Sequence, residues 1–376
     1  MKKIGLVTFF TPINHGARLQ AFALQRTIEQ IGAFCQIVNF VPISQKKNSP
    51  KMRRFNVHSV INTAVELLNR RQLNLEKERF RAFESYYRLT ESLDDISSSQ
   101  EELDSFDAFV CGSDQIWGRV YEGFYFLDFV KPPRKRIAYA PSFGVSVIRD
   151  EERDAYRNYI QEFDYLSARE IEGSAIIKDL TGKQAPVVLD PTLLLDFSEW
   201  KMYKKEPTRP LPNKFILLYA VQNTIPCLKV AKQVQKHLNI PIISVDLSRR
   251  LAFNPMTRKR YDFGPQEWLF AFDQASYVVT SSFHGTAFAI NFNKPFLTVC
   301  QGDARKRNTN SRMTSLARLL GLENRLLSPN SQIDRGALDC DLSNAYERLQ
   351  KERESSLAYL RTALGSVQEN LANKQI

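Results

Sequence analysis

Three observations in the amino-acid sequence predict an α/β protein of two Rossmann-like domains facing a cleft. At 376 residues, 43% of them hydrophobic, the chain exceeds one ordinary core and has enough apolar material for two. Short β-branched runs recur, each ending in a small polar turn and restarting with helical spacing, as parallel βα units do. One stretch, Tyr277 to Val299 (YVVTSSFHGTAFAINFNKPFLTV), shows such a unit whole: a strand, the turn Thr280-Ser281-Ser282, a short helix and a second strand from Pro295.

In chain order, Ile4 to Phe10 reads as a strand, Thr11 to Gly16 as a loop, Ala17 to Ile31 as a helix and Ala33 to Phe40 as a second strand. The loop has no G-x-G-x-x-G fingerprint. Asn14-His15-Gly16 either brings backbone N–H groups to a ligand or turns tightly on a glycine at positive φ. Asp107 to Cys111 is a strand ending in Gly112-Ser113-Asp114-Gln115, a polar cluster where sheets bind ligands. Arg136 to Ala140, Tyr165 to Ala168 and Pro186 to Leu189 lead into further polar turns, among them Arg169-Glu170 and Asp190-Pro191-Thr192.

The first domain is placed at 1–200, a Lys/Glu/Pro-rich linker at 201–213, the second domain at 214–340 and a final helix at 341–376. In the second domain Phe215 to Val221 and Ile240 to Val245 are strands flanking a helix about Leu228 to His237. Gly264-Pro265 opens a helix to Ala275, with proline where its missing N–H does no harm. Ser311-Arg312 starts a helix through Leu320. Ser282, His284, Gly285 and Thr286 stand beyond a strand end at a helix start, a place that suits an anion. A histidine there also serves simply to cap or pack a turn.

Charge is strongly basic, 52 Lys+Arg against 41 Asp+Glu, which favours anionic partners. Residues 41–90 hold eleven of the cations and four of the anions. Within the basic insert 45–90, an apolar stripe from Phe55 to Leu68 between Arg53-Arg54 and Arg70-Arg71 is expected either of a helix on an acidic membrane face or of a domain-packing helix. No RRM, KH or zinc-knuckle pattern supports nucleic acid as a partner. The five cysteines, without CxxC pairs or matching histidines, read as reduced thiols rather than a metal site, and no apolar leader or span is read. A cytoplasmic location follows as the expectation, peripheral at the inner membrane face if segment 46–71 binds lipid.

Several strand-end turns together resemble the polysaccharide pyruvyltransferase family: IGLVTFFTPINHGARLQAFALQ from Ile4, CGSDQIW from Cys111, IAYAPSFG from Ile137, Ser167-Ala168-Arg169-Glu170, LDPTLL from Leu189, SSFHGTAFA from Ser281, Asn293-Lys294-Pro295-Phe296 and Ser311-Arg312. They fall in family order over most of the chain. The chain departs from the family pattern at His15, where tyrosine is commoner, and at Ala168, where valine is commoner.

The resemblance implies a fold similar to GT-B glycosyltransferases, an acceptor-side first domain and a donor-side second domain. It further implies phosphoenolpyruvate as co-substrate with no cofactor, and a glycan diol, lipid-linked if the basic insert meets membrane, that becomes a pyruvate ketal. On that resemblance Arg169 and His284 touch the donor. Ser282, Gly285, Thr286 and Arg312 complete the donor site, since arginine's fork and a helix start both suit carboxylate and phosphate. His284 is the candidate general acid and Asp114 the candidate base for the acceptor hydroxyl. Asn14, His15, Gly16, Ser113 and Gln115 form the expected acceptor rim. Two other classes stay open: a nucleotide-sugar glycosyltransferase, and a non-catalytic basic module binding lipid or nucleic acid.

Overall fold

The computed structural model describes residues 1–42, 67–118, 120, 122–221, 224–246, 258–260, 262–301 and 310–365. The first half contains β1 (Lys3–Val7), α1 (His15–Gln30), β2 (Phe34–Ile37), α2 (Arg70–Phe83), α3 (Gln100–Asp104), β3 (Ala108–Cys111), β4 (Lys135–Ala138), α4 (Asp150–Gln161), α5 (Ile171–Thr181) and α6 (Phe197–Tyr203). Its strands form one parallel sheet in the order β2-β1-β3-β4. The second half contains β5 (Ile216–Ala220), α7 (Thr224–Leu238), β6 (Ile242–Asp246), β7 (Arg258–Lys259), α8 (Pro265–Gln274), β8 (Tyr277–Thr280), α9 (Phe283–Asn291), β9 (Phe296–Val299), α10 (Ser311–Leu320), β10 (Leu326–Leu327) and α11 (Ser343–Leu364).

The second sheet is also parallel, in the order β10-β9-β8-β5-β6-β7. Read from β7, that is the 3-2-1-4-5-6 order of dinucleotide-binding sheets. Its switch point lies between β5 and β8, so the crevice past Ala220 and Thr280 is where such a sheet binds. Every strand residue of β5, β8 and β9 is buried, the continuous apolar pattern of a sheet covered on both faces.

Two stretches expected as strands are reduced to isolated bridges, Ile137 with Tyr165 and Ala168 with Val187. Ser167 stops the first: its hydroxyl accepts from Ala140 N (3.0 Å), the donor that would carry the ladder on, while Ala138 O keeps its ladder bond from Ser167 N (3.1 Å). Pro186 has no N–H to extend the second.

The helix expected from Ala17 starts two residues earlier, because the Asn14 side chain accepts from Ala17 N at 3.1 Å and caps it. Gly16 therefore sits in the first turn of α1, not in a turn at positive φ. The expected linker is helical at its start, where α6 buries Trp200. The final helix α11 returns to the first domain: Ser356 Oγ accepts from Leu189 N (3.0 Å), and Arg353 Nε donates to Leu193 O (2.7 Å).

A continuous apolar core crosses between the halves, with Leu19, Phe22, Trp200, Trp268 and Phe288 all in it. Helix α9 is buried all round, as a helix wedged between a sheet and a neighbouring domain must be. Asn291 Nδ2 at its end donates to Thr192 O (3.0 Å) and Leu195 O (2.8 Å) of the first half. The described part of the basic insert packs between domains as well: α2 buries Phe80 and Phe83, and Arg79 Nε meets Glu267 Oε1 at 3.1 Å. Residues 46–66, most of the proposed membrane face, lie outside the described residues. Among the described residues no helix is long and apolar enough to cross a membrane.

Candidate active site

A polar cavity of about 180 Å³ opens at the switch point, lined by Asn14 and Asp114-Gln115 of the first domain and by Val221, Ser281 to His284, Gln301, Arg312 and Met313 of the second. Three helix starts meet there. Asn14 caps α1, Ser282 caps α9 by accepting from Gly285 N at 3.4 Å, and Arg312 and Met313 lie in the first turn of α10. Helix starts carry partial positive charge and free N–H groups, so three together favour an anion.

Around this cavity stands a buried cluster of charges. Asp190 fastens its Oδ1 to its own turn, accepting from Thr192 N (3.0 Å) and Thr192 Oγ1 (2.7 Å). Its Oδ2 accepts from Arg169 Nη1 at 2.9 Å and lies 3.7 Å from His284 Nε2. Arg169 also lies 3.6 Å from Asp114 and 3.8 Å from Glu170, and stacks its guanidinium 4.8 Å from the centre of the Phe283 ring. Arg312 turns its fork to the Gln115 side-chain amide, which lies 2.7 Å from Nη2 and 3.2 Å from Nη1 and satisfies both when its oxygen is the atom turned to the fork.

Electrostatics follow from this packing. Burial alone would penalise the Arg169 charge, but Asp190, Asp114 and Glu170 outweigh it and hold its pKa above the ordinary value. Asp190 is also buried, yet His284, Arg169 and Thr192 hold its carboxyl well below the usual range. Burial raises Glu170. Arg312 is lowered to about 10, by burial first and by repulsion from Arg169 second. Four buried nitrogens in the cluster have no hydrogen-bond partner: Arg169 Nε and Nη2, Arg312 Nε and His284 Nε2. Orphaned guanidinium donors, as on Arg169 and Arg312, are costly unless a ligand completes them.

The structure brings Asn14, Asp114, Gln115, Ser282, His284 and Arg312 together on the cavity wall. Arg169 stands behind them, lining a neighbouring apolar cavity of about 350 Å³ that shares Phe283. Several expected positions are corrected. His15 is not on the rim: it is fully buried, with its ring beside Phe80 (5.0 Å), Trp268 (5.6 Å) and Tyr219 (6.0 Å), and its Nε2 donates to Phe263 O at 3.1 Å. Ser113 is buried too, donating to Ala140 O at 2.7 Å. Gly285 lies third in α9, pressed on Thr280, where a Cβ would sit 2.2 Å from Oγ1. Thr286 spends its hydroxyl on Ser282 O (3.0 Å) and Thr298 (2.8 Å).

Gly16 proves to be a contact of another sort. A Cβ there would fall 2.1 Å from His284 Nδ1, so glycine is what lets α1 lie against the imidazole. Asp190, Glu170 and Phe283 are members of the cluster that sequence reasoning missed. The Asp190-Pro191-Thr192 turn advertises a cap, and nothing local says that the second carboxylate oxygen faces Arg169 and His284.

Two parallel Rossmann-like domains with a polar cavity at the switch point define a GT-B-like protein. Solved structures agree on the fold. The chain is similar to the Staphylococcus aureus MnaA–UDP co-structure (13% identity, 98% of each chain covered, TM-score 0.50). It is also similar to the Methanocaldococcus jannaschii UDP-GlcNAc 2-epimerase in complex with UDP-GlcNAc and UDP (13% identity, 97% of this chain and 100% of that one, TM-score 0.51). No curated protein matches the chain. A profile of the family described as polysaccharide pyruvyl transferase matches residues 14–299, and the chain belongs to that family.

Proposed function

We propose that this protein transfers the enolpyruvyl group of phosphoenolpyruvate onto a glycan diol, forming a pyruvate ketal and releasing phosphate. The observation that carries the reading is the convergence of three helix starts, Arg312 and His284 on one small cavity, backed by Arg169. Such a site suits a compact ligand bearing a carboxylate and a phosphate. Arg312 supplies a planar charged donor on the wall, and Arg169 adds its positive charge from behind it.

In the reaction the vinyl carbon takes a proton and its neighbour becomes oxocarbenium-like. One acceptor hydroxyl adds there and gives up its proton. The C–O bond to phosphate breaks with its electron pair, phosphate leaves, and the second hydroxyl closes the ketal, losing its own proton. Of the two hydroxyl protons, one replaces that spent on the vinyl carbon and the other leaves with phosphate. His284 is assigned the proton delivery and Asp114 the proton removal. Asp114 Oδ1 accepts from Gln115 N at 2.8 Å, which holds the carboxylate on the cavity wall. The acceptor, on this reading, is a lipid-linked glycan at the inner membrane face, met through the basic segment 46–71.

Titration calorimetry with phosphoenolpyruvate, beside a UDP-sugar, tests the reading on wild type, Arg169→Ala and His284→Ala. Saturable phosphoenolpyruvate binding, weakened by both substitutions, is expected, with turnover in His284→Ala down by about a hundredfold or more. Binding of the nucleotide sugar instead would replace the pyruvyl reading with a glycosyltransferase one.

A further inference from the structure

His284 belongs to the second domain, yet the groups that fix its ring belong to the first. Asp190 Oδ2 lies 3.7 Å from Nε2. On the other side α1 comes so close that a Cβ on Gly16 would stand 2.1 Å from Nδ1, 2.3 Å from Cγ and 2.8 Å from Cε1. The preceding Phe283 is held in turn by the first-domain Arg169 stacked on it. Its own domain supplies the helix that carries His284 but neither of the two groups that clamp its ring edges.

We propose that Asp190 and Gly16 are positioning residues that clamp His284, so that its ring is fixed only when the two domains are closed on each other. The inference rests on the assignment of His284 as proton donor. Asp190 suits the task because Oδ1 is anchored on Thr192 and Arg169 steadies Oδ2, leaving a rigid carboxylate toward the imidazole. A carboxylate facing Nε2 favours a proton on that nitrogen, and so fixes which edge of the ring is turned to Asp190. Gly16 acts sterically, because its missing side chain is the space the ring needs. Assembling the donor from both domains ties proton delivery to closure, and closure excludes water from the site.

Nuclear magnetic resonance on the full chain, labelled with ¹⁵N-histidine, reads the clamp without any substrate. The chain has four histidines, so the His284 signals are assigned by their loss in His284→Gln. Wild type is expected to show a proton held on Nε2, Asp190→Asn a loss of that fixed proton, and Gly16→Ala displaced ring signals. Turnover of phosphoenolpyruvate should fall in Gly16→Ala by about a hundredfold, the effect of misplacing a reacting group by about an ångström, with KM little changed. Should Asp190→Asn fail to fold, Gly16→Ala decides alone. A wild-type ring with Nε2 unprotonated, or Gly16→Ala with unaltered signals and kcat, would overturn the proposal. The clamp is upheld, and only the pyruvyl assignment lost, if the ring signals behave as stated while wild type turns over no phosphoenolpyruvate.

Discussion

Acid should destabilise this protein through His15, and replacing that residue should remove the effect. The imidazole is fully buried among three aromatic rings, and burial lowers its pKa from 6.5 to about 4, against the opposing pull of the Phe263 carbonyl. Above pH 6.5 the ring is neutral in folded and unfolded chains alike, so stability is complete. As pH falls from 6.5 toward 4, the unfolded chain binds a proton that the folded chain refuses, and stability is lost. The total is about 3 kcal/mol, of which about 2 kcal/mol is gone between pH 7 and pH 5. The surrounding rings pull the other way, but a desolvated cation–π gain of roughly 1–2 kcal/mol would shrink the effect without reversing it. His15→Gln keeps a donor for Phe263 O and does not titrate. Urea unfolding of both proteins at pH 7 and pH 5 isolates His15, because every other titrating group is common to the two. Wild type should lose about 2 kcal/mol more than the variant. Equal losses would refute the burial argument and mean that the ring charges where it sits.

Arg312→Lys keeps the charge but loses the fork that holds Gln115, so phosphoenolpyruvate affinity should fall about tenfold or more, the value of one charge-assisted hydrogen bond; unchanged affinity by calorimetry would remove Arg312 from the site. Trp200→Ala should cost about 3–5 kcal/mol, read as a lower urea midpoint. Its fully buried ring packs between Phe22 and Phe288 of opposite domains, and its Nε1 donates to Thr192 O at 3.0 Å. A loss of under about 1 kcal/mol, as at ordinary surface sites, would show that the domain junction does not depend on it.

Much of the fold was legible because its signals are local. The strand Tyr277–Thr280 and the helix Ser311–Leu320 lie where their apolar runs and bounding residues put them. Proline opens α8 where expected, and the glycine at 321 ends α10 in the left-handed conformation. The ordered turns also carried the family. The expected strands at 165–168 and 186–189 failed because a serine hydroxyl and a proline, both visible in the sequence, compete with ladder bonds only once neighbouring strands are in place.

The candidate site divides in the same way. By itself the sequence determined which turns stand at strand ends, and hence that Asp114, Gln115, Ser282, His284 and Arg312 would gather at one edge. Only the tertiary structure decided which side chains face the cavity and which serve the interface. It buried His15 among rings contributed by α2, β5 and α8, set Gly16 against His284, and made Asp190 the common partner of Arg169 and His284. The reason is range. Periodicity and capping act over a few residues and are written in neighbouring letters, whereas the burial of a histidine or the second oxygen of a carboxylate depends on what a distant segment brings to it when the domains close.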